Sequence, residues 1–110
     1  MNNSSQNPTR PALHPDDADE YASWFRCLAD GTRLLVLNAV ASADRAMTVG
    51  EIVDRVGVGQ STVSHHLRVL AEERFVHMQA DGTRTLVTVN PDCLQALPEA
   101  AARIMGSDPA

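Results

Sequence analysis

The sequence predicts a mainly α-helical α+β fold, with four helices before a β-hairpin and one after it. Three observations lead there. Apolar residues recur at helical spacing in Tyr21, Trp24, Phe25 and Leu28, and again in Val63, Leu67 and Leu70. After Arg74 the helical period gives way to alternation, in Phe75–Gln79 and again in Arg84–Val89. Between those two runs lies Asp81-Gly82, a pair suited to a hairpin turn.

Each element can be justified in order. Residues 1–15 are rich in Asn, Ser and Pro without periodicity, and are expected to form a disordered arm. The folded domain is expected over 16–106, with 107–110 as a tail. Its first helix opens at Asp16, where acidic residues complement the helix dipole. Asp30-Gly31-Thr32 ends that helix, and Leu34, Leu35, Leu37 and Val40 carry a short second one. Ala43 to Met47 reads as a loop. Thr48-Val-Gly-Glu51 has the form of a capping box and starts a third helix that buries Ile52, Val53 and Val56. Gly57 permits a tight turn. A fourth helix opens at Gly59-Gln60-Ser61 and turns Val63, Leu67 and Leu70 inward. After the hairpin, Asn90-Pro91 caps a last helix with Leu94, Leu97, Ala101, Ile104 and Met105 on one face, and Pro98 is expected to kink or split it.

A chain of 110 residues is expected to form one domain. Alone it would bury roughly two-thirds of its unfolded surface, so dimerisation would add core. No apolar run approaches the roughly 20 residues of a membrane span. The opening MNNSSQNPTRPALHP lacks the layout of a secretory signal, so a cytoplasmic location is expected. The two cysteines, Cys27 and Cys93, form neither CxxC nor CxC, which excludes a zinc ribbon or disulfide framework. The net charge of −5 argues at first against nucleic acid. However, Arg68, Arg74 and Arg84 balance Glu72, Glu73 and Asp81 across residues 59–85. All nine basic residues are arginine, whose fork suits phosphate and guanine edges.

Two short helices joined by a glycine turn make a helix-turn-helix, and the following hairpin makes it winged. With Val63, Leu67 and Leu70 inward, Gln60, Ser61, Thr62, Ser64, His65 and Arg68 fall toward solvent. These short or forked hydrogen-bonding groups suit the major groove of double-stranded DNA. An ordinary solvated face would carry Glu and Lys instead. His65 and His66 diverge by about 100° on a helix and do not chelate one ion readily. One is expected to touch DNA and the other to pack at the helix junction. Neither has a nucleophile nearby in sequence, so an enzyme is not expected.

The runs FRCLADGTRLLVL and MTVGEIVDRVGVGQSTVSHHLRVLAEERFV resemble the ArsR/SmtB family of bacterial metal-sensing repressors over about residues 20–105. The resemblance implies a winged-helix homodimer paired through first and last helices, with Trp24, Phe25 and Leu28 meeting Leu94, Leu97, Ala101 and Ile104 of the partner. It also implies inverted-repeat operator DNA at a resistance or efflux operon, left when an inducer binds. By that resemblance Gln60, Ser61, Thr62, Ser64 and His65 read bases, and Arg84 in the wing contacts phosphate. Two family metal sites are missing. TVGEIVD carries no thiol where arsenic and cadmium sensors have a CxC-type pair. PDCLQALPEAAARIM carries no histidine where zinc and nickel sensors have them.

The remaining thiols leave alternatives open. A helix N-terminus favours the Cys93 thiolate, though Asp92 opposes it. In the dimer that the family implies, Cys27 and Cys93 could approach, within or between chains. Two soft sulfurs suit Hg(II) or As(III) as inducer. They equally suit a disulfide or polysulfide link, which would make a thiol-redox or sulfide sensor. Cys27 could also simply fill space beside Trp24 and Leu28. His14, in the arm, and His77, on the wing, are not expected to be ligands, and no obligatory cofactor is implied. The competing class is a winged-helix protein-interaction module, favoured by the acidic balance and the lack of lysine.

Overall fold

A computed structural model describes residues 12–106. The elements run α1 (Pro15–Leu28), α2 (Gly31–Ser42), β1 (Met47–Thr48), α3 (Val49–Val56), α4 (Gln60–Glu72), β2 (Val76–Asp81), β3 (Arg84–Val89) and α5 (Cys93–Met105). The arm expected over 1–15 lies outside the described residues up to position 11, and so does the 107–110 tail. His14 is part of the fold's edge rather than of an arm. It is the N-cap of α1, its Nδ1 accepting from the Asp16 amide at 3.1 Å. Among the described residues, no helix is long and apolar enough to cross a membrane.

The core sits where α2, α3, α4 and the sheet meet. Val36, Ile52, Val63, Leu67, Leu70 and Val87 are fully buried there. The fourth helix follows its expected phase. The second does so in part: Val40 is buried and Leu37 packs on the core, with Val36 and Ala39 also buried, whereas Leu34 and Leu35 stand exposed. Asp30 starts the helix, accepting from the Arg33 amide at 3.0 Å as N-cap.

The loop expected over 43–47 ends in a strand. β1 pairs antiparallel with β3, Met47 opposite Val87 and Thr48 opposite Leu86, giving the sheet order β1-β3-β2. Two residues are too few for alternation to reveal a strand. In the hairpin, Gly82 is the first of two turn residues at φ 64°, as a type II′ turn requires.

The last helix differs from expectation at its start. Its N-cap is Asp92, not Asn90. Asn90 instead shapes the turn before it, its Oδ1 accepting from the Asp92 amide at 3.1 Å. The helix runs on through Pro98. The hydrogen bond that proline cannot make is the one to the Leu94 carbonyl, and Leu94 is exposed, so water can serve that oxygen.

A Schellman motif ends α4. The Phe75 amide bonds the Leu70 carbonyl at 2.8 Å and the Arg74 amide bonds the Ala71 carbonyl at 3.0 Å. Arg74 takes the left-handed conformation at φ 64°, where glycine is usual. Arg74→Gly should therefore raise stability by up to about 1 kcal/mol, less what glycine's extra unfolded freedom takes back. Urea unfolding checks this, and a lower midpoint would mean that the arginine side chain contributes more than its backbone costs.

Candidate nucleic-acid interface

The turn that presents α4 is built from local chemistry. Thr48 Oγ1 accepts from the Glu51 amide at 3.2 Å, and Glu51 Oε1 accepts from the Thr48 amide at 2.9 Å. That closed capping box fixes the start of α3. Gly57 ends the helix at φ 81°, where a side chain would be strained. Gly59 then caps α4 without any side-chain hydrogen bond, leaving its first amides free of internal competition.

The expected face is present. Gln60, Ser61, Thr62, His65 and Arg68 are exposed, and Ser64 is half-buried at the edge of the row. The adjacent histidines part as expected, with His65 in solvent and His66 buried. Arg33 Nε donates to His66 Nδ1 at 3.2 Å, and Arg33 Nη1 donates to the Cys27 carbonyl at 2.8 Å. One guanidinium thus ties the end of α1 and the start of α2 to the middle of α4. It is a positioning group that sequence reasoning missed, because nothing local links residues 33 positions apart.

Arg84 is exposed on the wing and donates to Asp81 Oδ2 at 3.0 Å. Facing it is a second arginine that the sequence did not single out. Arg45 forks onto both oxygens of Glu51, with Nη1 to Oε1 at 3.1 Å. That contact, then the Thr48 amide, holds the Glu51 carboxyl down at about 2. Both arginines line one cleft of about 660 Å³, with Gln60, Thr83 and Thr85 on its walls. Glu51 lines the same cleft, so the two guanidiniums there stand with a carboxylate, hydroxyls and an amide.

The thiols lie on the opposite side of α4. Cys27 is buried, its Sγ 4.0 Å from the Val69 carbonyl. Cys93 is half-buried and donates to the Arg74 carbonyl at 3.3 Å. Burial pushes the Cys27 thiol up, against the pull of Arg33. Burial, then the Asp92 charge, pushes Cys93 up as well, so its place at a helix N-terminus does not win. Cys93 opens onto a second cleft of about 490 Å³ beside Ser23, Trp24, Glu72 and Glu73. Among the described residues, no group of three or more His, Cys, Asp or Glu could hold a metal ion.

The family model for bacterial regulatory proteins of the arsR family matches residues 30–78, from the cap of α2 into β2. A biofilm growth-associated repressor of Xylella fastidiosa is 31% identical over 80 residues, covering 69% of this chain and 68% of that protein. The chain belongs to the arsR family. The family is one of bacterial regulatory proteins. A probable mercury resistance operon repressor of Streptomyces lividans is 37% identical over 79 residues. The match covers 72% of this ArsR-family chain but only 59% of that relative's length. Among solved structures, a homodimeric winged helix-turn-helix DNA-binding domain, Mb0332 from Mycobacterium bovis, superposes with a TM-score of 0.66. It is 23% identical, with 86% of this chain and 87% of that one covered, and it shows the winged helix-turn-helix fold.

The apolar residues meant to pair subunits divide into two sets in this ArsR-family protein. Trp24, Leu28 and Leu97 pack partly against their own core. Phe25, Leu94 and Ile104 stay exposed, joined by Met105 and by Leu34 and Leu35 of α2. Arg103 holds α5 to α1, donating to the Tyr21 hydroxyl at 2.8 Å and pairing with Asp17 at 3.3 Å.

Proposed function

We propose that this protein is a homodimeric repressor that binds an inverted-repeat operator and leaves it when an inducer binds. The observation that carries the reading is the exposed row Gln60, Ser61, Thr62, His65 and Arg68, set beside the wing arginine Arg84. Such a row offers hydrogen bonds to base edges in the major groove, and Ser64 joins it at its margin. Arg84 reaches the flanking backbone. Exposed Phe25, Leu94 and Ile104 give a second subunit an apolar face to cover, and two copies would set half-sites about 34 Å apart.

The inducer we assign is a thiophilic ion held by Cys27 and Cys93. Two sulfurs satisfy Hg(II), which asks for two soft ligands and no third. The mercury resistance relative is the comparison that supports this choice. Both thiols are protonated at neutral pH by the direction of their shifts, so uptake of the ion releases protons.

Fluorescence anisotropy on the DNA upstream of its own gene tests the reading, titrated with Hg(II), As(III), Cd(II), Zn(II) and a polysulfide. Hg(II) should weaken binding by about 5- to 150-fold, the usual range of such coupling. Cys27→Ser and Cys93→Ser should each abolish that response. Release by polysulfide alone would replace the metal by thiol oxidation. Tight binding indifferent to every addition would make both cysteines structural. No DNA binding at all would leave the interaction module.

A further inference from the structure

We propose that the cleft between the wing and α3 is a phosphate clamp whose two arginines are held by the chain's own carboxylates until DNA replaces them. The inference rests on the DNA-binding reading and adds to it a residue, Arg45, and a regulation. Arg45 stands before β1 and Arg84 beside the turn at the tip of the wing, and both line the same cleft. Each is already engaged: Arg45 with both oxygens of Glu51, Arg84 with Asp81.

A carboxylate gripped through both its oxygens by a guanidinium fork has the geometry that a phosphate would offer the same fork. Glu51 therefore stands in for the DNA backbone in the free protein. Both pairs are solvent-exposed, with 64% and 36% of the Arg45 and Glu51 side chains accessible. Exposed pairs are weak and exchange readily. Gln60 opens α4 on the same cleft, so a phosphate gripped here would flank the first base that the helix reads.

The arrangement also answers the puzzle of charge. The four groups sum to zero, so the free protein presents no strongly basic patch. Two arginines become available only to an anion able to outcompete a carboxylate. A polyanion does so through the counterions it sheds.

The test uses the full-length protein and two duplexes, one carrying the DNA upstream of its own gene and one with that sequence scrambled. Arg45→Ala should weaken binding to both by about fivefold at physiological salt, the counterion release of one phosphate. The slope of log affinity against log salt should fall by about one. Glu51→Gln keeps a capping-box acceptor but loses the charge, so α3 stays formed. It should tighten binding by about 1.5- to 5-fold, the strength of an exposed ion pair. The double variant should bind like Arg45→Ala alone.

Wild-type affinity and slope in Arg45→Ala would overturn the clamp. So would an equal gain from Glu51→Gln with Arg45 absent, which would mark a general charge effect. Failure of the wild-type protein to bind either duplex would overturn the repressor reading, and the clamp with it. Asp81→Asn should repeat the gain through Arg84, and no gain there would confine the device to Arg45.

Discussion

Leu67→Ala should lower stability by about 2–5 kcal/mol. Leu67 is fully buried among Val36, Ile52, Val63 and Leu70, where α2, α3 and the sheet close over α4. Removing its branched end takes apolar surface out of the core and leaves a cavity that three packed elements cannot readily fill. In a domain this size the melting temperature should fall by about 4–8 °C for each kcal/mol. Thermal unfolding at one fixed protein concentration checks this, because the midpoint of any protein that dimerises depends on concentration. Arg68→Ala, one residue along and exposed, should stay within about 0.5 kcal/mol of the parent. A loss under about 1 kcal/mol for Leu67→Ala would mean that the core does not close around α4 as described.

The second large effect concerns discrimination rather than stability. Gln60→Ala should cost about 1–3 kcal/mol of preference for the operator over scrambled DNA. Arg84→Ala should instead weaken binding to both duplexes alike and flatten the salt dependence. The contrast follows from placement: Gln60 leads the exposed face of α4, whereas Arg84 sits on the wing beside the cleft. Anisotropy on the two duplexes at two salt concentrations separates the effects. Equal losses from both substitutions on both duplexes would deny Gln60 a base-reading role.

What the sequence made legible was whatever depends on neighbours a turn or two away. Val63, Leu67 and Leu70 declare the inward side of α4 by spacing alone, and so its outward side. Thr48 and Glu51 declare a helix start because both halves of the capping box lie within one turn. Gly57 and Gly82 mark turns that need positive φ. Spacing failed where tertiary contact decides. Leu34 and Leu35 look like core residues, yet Val36 takes the interior and both leucines stand exposed. Arg33 reaches His66 across the junction of α2 and α4, and Arg45 reaches Glu51 across β1, with no periodic signal for either. The Arg74 conformation was hidden for a related reason. No glycine announces the turn at Arg74, and the burial of Phe75 beside it is a tertiary contact.

Thr48 belongs to two structures at once. It pairs with Leu86 in the central strand of the sheet, and it caps α3. The hairpin is therefore not a free arm, since its inner strand is bonded to the residue that starts the helix-turn-helix. Hairpin and helices are thereby joined into one body, and the bond limits how far the tip of the wing can shift against the tip of α4. Such a body works as a caliper. It accepts a duplex whose groove and flanking backbone lie at the matching separation and resists one whose groove is pinched or widened, whatever its bases.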